Sequence, residues 1–354
     1  MAKTRILFFL PHLVGGGAER VTINIIKQLD KNLYDVVLVV LSKNGPAYKF
    51  IPNNLHVIEL NINRTMFSIL KLRKIIQTTN PDIVFSSIFR GHIALYFSLL
   101  GVSLKPKVFL RSPNSPKLIL EKNELSLYMK KLLDLVYKSA DKIIAQTPEM
   151  KDEIIKYHFV QSDKVEVLLN PIDKELIEEK ITNIDNPFNL NNINVVASGR
   201  LIEQKGFDTL ISSFKKVIGI NSNFRLYIIG EDVIGERIKL ENLVKKLELE
   251  NYVFFLGFQD NPYKFYYYSN LYVLSSRWEG LPNTVLENIY LQKPIVATKC
   301  IPFMSTLIKD KKNGFLVDVD NQEQMSNAIL EYKNLNPDDS FFNHTKNNIN
   351  SLFQ

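Results

Sequence analysis

Apolar, β-rich runs alternate along the chain with segments whose apolar residues recur at helical spacing, the pattern of parallel strands covered by helices. In the first half the spacing predicts strands at Arg5–Leu10, Val36–Leu41, His56–Leu60, Ile83–Ser86, Val108–Arg111, Lys142–Ala145 and Lys164–Leu168. Helices fall between them at about 17–29, 66–78, 91–100, 117–138 and 148–157. The second half restarts the pattern, with strands near 194–198, 225–229, 252–256, 271–274, 294–297 and 315–318, and helices near 206–219, 234–247, 262–268, 283–291 and 321–333. Two doubly wound α/β units in series are therefore expected. Asn170-Pro171-Ile172-Asp173 and the polar, Asn-rich stretch Lys180–Asn194 break the pattern, which places a boundary near 170–192. The domains read as 1–175 and 192–335, with a tail at 336–354 that is helical or frayed.

Open parallel sheets bind ligands at the carboxyl ends of their strands, so the loops there carry the candidate chemistry. Pro11-His12-Leu13-Val14-Gly15-Gly16-Gly17-Ala18-Glu19-Arg20 follows the first strand and opens a helix. Its glycines permit close backbone approach and its helix start offers N–H groups to an anion, although a tight turn without a ligand needs the same residues. A dinucleotide fingerprint would need glycine where Arg20 stands, which disfavours nicotinamide chemistry.

The segment Ser198-Gly199-Arg200 to Lys205-Gly206 ends a strand and flanks a loop with two cations five positions apart. A guanidinium fork and an ammonium so placed can hold one diphosphate, though either alone reads as a solvated surface charge. Glu279-Gly280-Leu281-Pro282-Asn283-Thr284-Val285-Leu286-Glu287 follows a later strand. Pro282 suits a helix start, where the N–H groups of Asn283, Thr284 and Val285 are expected to point out toward a phosphate. Glu279 and Glu287 would repel that phosphate, so they are expected to accept hydrogen bonds from hydroxyls, one on a sugar and one on a ribose.

These motifs, together with Gly230-Glu231 and Phe255-Leu256-Gly257, resemble in order and spacing the family 4 retaining glycosyltransferases of GT-B fold, of the bacterial surface-polysaccharide type. The resemblance implies an α/β fold of two Rossmann-like doubly wound domains facing an inter-domain cleft. It implies that the second domain binds a nucleotide-sugar donor, UDP-linked by family habit, and that the first binds the acceptor. On that likeness Arg200 and Lys205 hold the leaving diphosphate, Glu279 lies by the donor sugar and Glu287 holds the ribose. Phe255–Gln259, with Phe258 among them, would line the base; Ser198 and Gly199 would complete the donor site, and Gly16 and Gly17 would approach the diphosphate or sugar. Many relatives carry a histidine after the strand that here ends in Leu110-Arg111-Ser112-Pro113-Asn114. Arg111 and Asn114 are the substitutes expected near the sugar or acceptor, with His12 and His92 as the nearest imidazoles. No metal or other cofactor is expected, because Arg200, Lys205 and a helix start can stabilise a leaving diphosphate without one.

Charge adds a partner to this picture. The formal net charge is +7, and residues 1–175 hold 25 Lys and Arg against 16 Asp and Glu, while residues 176–354 hold 19 against 21. In the region 117–138 an apolar series, Leu118, Leu125, Met129, Leu132 and Val136, runs with Lys117, Lys122, Lys130, Lys131 and Lys138; helix 66–78 adds Lys71, Arg73 and Lys74. An ordinary amphipathic helix with a solvated lysine face fits this, and so does docking on an anionic membrane surface, which would suit a polyprenyl-diphosphate-linked glycan acceptor. Nucleic acid is disfavoured because no reading motif accompanies the basic residues. The single Cys300 excludes an intrachain disulfide, Met1 to Leu10 is too short an apolar region for a signal peptide, and no run reaches the ~18 apolar residues that span a bilayer. A cytoplasmic enzyme on the inner face of the cell membrane is expected. A non-catalytic sugar-nucleotide binding protein, or another GT-B enzyme such as a sugar-nucleotide epimerase, is the alternative.

Overall fold

A computed structural model of the chain describes residues 3–121, 126–344 and 349–354. It divides into two compact units, Met1–Pro171 with Asn347–Gln354, and Ile172–Lys346. The division falls at the start of the interval in which the sequence places a boundary.

Unit 1 runs β1 (Thr4–Phe9), α1 (Gly17–Gln28), β2 (Tyr34–Val40), β3 (His56–Glu59), α2 (Ile69–Thr79), β4 (Ile83–Ser86), α3 (Phe89–Leu99), β5 (Lys107–Arg111), α4 (Pro116–Glu121), α5 (Leu127–Ser139), β6 (Lys142–Ala145), α6 (Pro148–His158) and β7 (Val165–Val167). Its seven strands lie in the order β3-β2-β1-β4-β5-β6-β7, all parallel. In β1, Ile6 and Phe8 enter one core while Leu7 and Phe9 enter another, so both faces of the sheet are buried. That is why these strands read as continuous apolar runs.

Unit 2 runs α7 (Lys174–Ile181), β8 (Ile193–Ser198), α8 (Phe207–Ile220), β9 (Phe224–Ile229), α9 (Glu236–Lys246), β10 (Val253–Gly257), α10 (Tyr263–Tyr268), β11 (Leu271–Leu274), α11 (Asn283–Tyr290), β12 (Ile295–Thr298), α12 (Met304–Leu307), β13 (Gly314–Val317), α13 (Gln322–Leu330) and α14 (Ser340–His344). The order β10-β9-β8-β11-β12-β13 repeats the Rossmann arrangement. In each unit the strand order reverses beside the first strand, between β1 and β4 and between β8 and β11, and the carboxyl ends at that point are where such sheets take ligands.

The structure departs from the expectation at α12, a short helix the pattern does not predict, at residues 174–181 and in the region 117–138. Residues 174–181, expected in a connection, form α7, capped by the Asp173 carboxylate accepting from the Leu176 N–H at 3.1 Å. The region expected as one helix at 117–138 contains α4 and α5; Lys122 and Leu125 lie outside the described residues. The tail, expected as helical or frayed, ends in a helix, α15 (Ile349–Leu352), and these last residues belong to unit 1, where Ile349, Leu352 and Phe353 are buried. The Phe353 ring lies 6.0 Å from Phe8 and 5.7 Å from Phe109, stacked on the latter. Asn350 holds this end through its Oδ1, which accepts from the Asp30 N–H at 3.0 Å, and its carbonyl, which accepts from the Tyr34 hydroxyl at 2.8 Å.

Candidate active site

The polar groups at the carboxyl ends of β8 and β11 come from two loops. After β8 the chain passes Gly199 and Arg200, makes a short 3-10 turn at Glu203–Lys205, and enters α8 through Gly206. Gly206 adopts φ 60, and a Cβ there would lie 2.2 Å from the Ser275 carbonyl oxygen, so only glycine lets this loop lie against the one after β11. A Cβ on Gly199 would lie 2.8 Å from Lys205 Cε; the glycine makes room for the lysine stem.

Lys205 turns toward the second loop, where its Nζ meets Glu279 Oε1 at 2.6 Å. The Ser276 hydroxyl donates to the same oxygen at 2.7 Å. The side chains are 19% and 11% exposed, so water screens this pair less than a surface pair. Arg200 is exposed, and among the described residues its guanidinium has no hydrogen-bond or ion-pair partner. The loop after β8 therefore offers one cation paired with a carboxylate of the loop after β11 and one cation open to solvent.

α11 begins after Pro282, its N-cap residue. The Val285 N–H donates to the Pro282 carbonyl at 3.1 Å, which corrects the expectation that it points outward: the first turn tightens and uses that donor itself. Thr284 hydrogen-bonds through its side chain to Tyr272, and Asn283 stands at the first position of the helix. Glu287 is buried, and the Tyr263 hydroxyl donates to its Oε1 at 3.2 Å. Beside it, the Tyr266 hydroxyl donates to Ser198 Oγ at 2.7 Å, and the Tyr272 hydroxyl lies 3.1 Å from the same Oγ. Burial, then the charges of Tyr272 and Glu287, raises the pKa of Tyr266; burial does the same for Tyr272, so both are neutral hydroxyls at physiological pH. Ser198 thus works inside the wall that backs Glu287. β10 ends at Gly257 with φ 66, and Phe258, a residue 55% exposed, follows it.

The unit 1 candidates lie at different depths. Gly16 is the N-cap of α1 and packs on the buried Glu19, whose Oε2 would lie 2.6 Å from a Cβ at Gly16; Gly17 is the first residue of the helix. His12 is half-buried with Nε2 3.2 Å from Thr65 Oγ1. Burial, and secondarily Arg90, lowers its pKa, so the ring is uncharged near neutral pH. Asn114 is exposed, and its carbonyl accepts from the Ser112 hydroxyl at 2.9 Å.

Arg111, expected near the sugar or acceptor, is 1% exposed and donates from Nη2 to Asn170 Oδ1 inside the unit, with no partner on Nε. Burial pulls its pKa down to about 9. His92 is fully buried, its Nε2–H donating to the Ser86 carbonyl at 3.1 Å, and burial pulls it down to about 3. It lines a cavity of about 150 Å³ with Tyr96, Leu99, Val108 and Val136. These two side chains are parts of the interior.

Two unit 2 groups were not foreseen from sequence. Tyr263 sits in the aromatic run Tyr263–Tyr268, which reads as helix core, and Arg277 reads as a loop charge. Arg277 bonds Asp208 and Asp320, partners too distant in sequence for local patterning to reveal.

Two parallel Rossmann-like units in tandem, the second with paired and open charges at its switch point, form the architecture of a GT-B glycosyltransferase. Residues 15–176 match the family described as Glycosyltransferase Family 4, and residues 178–345 match Glycosyl transferases group 1; the chain belongs to this glycosyltransferase family. It is 30% identical over 333 residues to an uncharacterized glycosyltransferase of Haemophilus influenzae, covering 92% of this chain and 89% of that protein. It is 27% identical over 332 residues to the N-acetylgalactosamine-N,N'-diacetylbacillosaminyl-diphospho-undecaprenol 4-alpha-N-acetylgalactosaminyltransferase of Campylobacter jejuni, covering 91% and 88%. In fold it is similar to Anabaena HepE, crystallised with UDP and glucose, at a TM-score of 0.78 and 20% identity over 99% of this chain and 98% of that one.

Proposed function

We propose that the protein transfers a hexose or N-acetylhexosamine, with retention of anomeric configuration, from a UDP-sugar to a polyprenyl-diphosphate-linked glycan during assembly of a bacterial surface polysaccharide. The observation that carries this reading is the meeting of Lys205, Glu279 and Ser276 beside the open Arg200 at the β8/β11 switch point. The names of the Campylobacter and Anabaena proteins support the acceptor and donor classes respectively.

Cleavage of the anomeric C–O bond leaves an oxocarbenium-like sugar and puts extra negative charge on the nucleoside diphosphate. Arg200 and Lys205 stabilise that charge, which lowers the barrier. The acceptor oxygen attacks from the face the diphosphate leaves, forming the new C–O bond. Its proton passes to the departing phosphate oxygen. Glu279 accepts from a donor-sugar hydroxyl, Glu287 from the ribose, and Phe258 stacks on the base. The two cations take the place of a divalent ion in this scheme.

The first unit brings the enzyme to its lipid substrate on the inner face of the membrane. No described helix is long and apolar enough to cross a bilayer. The exposed Met66, Phe67 and Leu70 lie beside Arg64 and Lys74, and the exposed Leu127 and Tyr128 lie near Lys131. Of the series read from sequence, Met129, Leu132 and Val136 pack on the unit's own core, so docking would fall to those exposed residues.

A donor panel tests the transfer reaction: UDP-, GDP- and ADP-sugars with a lipid-linked acceptor, with and without EDTA. UDP-sugar turnover that needs the acceptor and survives EDTA is expected. Turnover without acceptor would make the protein an epimerase or hydrolase, and loss in EDTA restored by magnesium would overturn the metal-free scheme. Flotation with anionic and neutral vesicles tests docking, and equal, negligible binding to both would remove it.

A further inference from the structure

We infer that Arg277 is the positioning residue that sets the register between the loop carrying Lys205 and the loop carrying Glu279, an inference that rests on the donor-site reading above. Its guanidinium uses all of its nitrogens on separate segments. Nη1 donates to the Glu203 carbonyl at 2.6 Å, in the turn that ends at Lys205. Nη2 donates to Asp208 Oδ2 at 2.7 Å, in the first turn of α8. Nε pairs with Asp320 at 2.9 Å, in the loop before α13, where Asp320 also accepts from the Thr209 hydroxyl at 2.7 Å.

The backbones are joined at the same place. The Arg277 N–H donates to the Gln204 carbonyl at 2.7 Å, the Gln204 side-chain amide donates to the Trp278 carbonyl at 2.8 Å, and the Ser275 hydroxyl donates to the Lys205 carbonyl at 2.7 Å. Lys205 and Glu279 thus each stand two residues or fewer from a group in this clasp. The side chain of Arg277 is 16% exposed, and its two carboxylates raise its pKa further, Asp208 foremost, so it stays charged at any pH the protein meets. A lysine would bring one nitrogen and could not reach three segments at once. Arg277 touches neither Lys205 nor Glu279 through its side chain, so its effect on turnover runs through where Lys205 is held, and small displacements of such a group are costly.

The test is a double-mutant cycle on UDP-sugar turnover: wild type, Arg277→Lys, Lys205→Ala and the double variant, with thermal midpoints measured on each. We expect Arg277→Lys to lower kcat about tenfold or more in the wild-type background, and about twofold or less once Lys205 is absent, with donor KM moved less than kcat. Asp320→Asn, which loosens one tether and keeps Arg277, should give a smaller loss of kcat and serves should Arg277→Lys fold poorly. Equal losses in both backgrounds, or unchanged kcat with only a lowered thermal midpoint, would show a merely structural role and overturn the proposal. A wild-type protein that turns over no nucleotide sugar would instead defeat the donor-site reading.

Discussion

At the carboxyl edge of unit 2, Lys205 meets Glu279 at 2.6 Å and Arg200 stands open. At the same edge of unit 1, Arg111 is 1% exposed without a carboxylate partner among the described residues, and His92 is buried and neutral. The strand orders match through six positions, so topology does not produce this contrast. It lies in the residues that end the strands. In the proposed reading unit 2 places its charges where a charged ligand exchanges with Glu279 for Lys205, whereas unit 1 locks Arg111 into a network through Asn170 and Gln146 that holds the loop of Ser112, Pro113 and Asn114. The difference teaches that one Rossmann frame can serve as a charged receptor or as a rigid platform.

The largest expected effect concerns the platform. Phe353 closes the core beneath β1, β4 and β5, so Phe353→Ala should destabilise the protein by about 3–5 kcal/mol in a denaturant titration. A loss below about 1 kcal/mol would show that the C-terminal return is dispensable.

The next effect separates the two edges directly. Arg200→Ala and Lys205→Ala should each lower turnover about a hundredfold with little change in thermal midpoint, while Asn114→Ala should leave UDP affinity unaltered. Near-normal rates in either cation variant would erase the contrast.

A third effect follows from the buried imidazole. His92 is pulled down to about 3 from 6.5, so the stability its neutral form provides is complete above the unfolded pKa and is lost as pH falls toward the folded one. Between about pH 7 and pH 5 this amounts to a loss on the order of 2 kcal/mol, and His92→Gln should flatten the pH dependence of the thermal midpoint. An unchanged slope in that variant would mean other groups carry the acid sensitivity.

The smallest effect sharpens the receptor. Tyr263→Phe removes one hydrogen bond to Glu287, and should raise donor KM about threefold to tenfold while kcat stays within about twofold. A fall in kcat with KM unmoved would place Glu287 in the chemical step instead.

Much of this molecule is legible in its sequence, for definite reasons. Strands buried on both faces announce themselves as apolar runs, and the restart near residue 194 marks the second sheet. The cations and glutamates of unit 2 occur within short, ordered motifs. By contrast, α7 hides in the charged run Lys174–Ile181, whose single buried residue, Ile177, leaves little periodic signal. The burial of Arg111 depends on Asn170, and the role of Arg277 on Asp208 and Asp320; such contacts exist only once the chain has folded. Hydroxyl partnerships such as that of Tyr263 with Glu287 are equally silent, because an aromatic run reads as core whichever way its polar tips point.

The central claim is that unit 2 holds a nucleoside diphosphate through Arg200 and Lys205. Calorimetric titration of UDP into wild type, Arg200→Ala and Lys205→Ala tests it most directly. The account predicts measurable affinity in the wild type and a loss of at least about tenfold in each variant. Equal affinity in all three would contradict it.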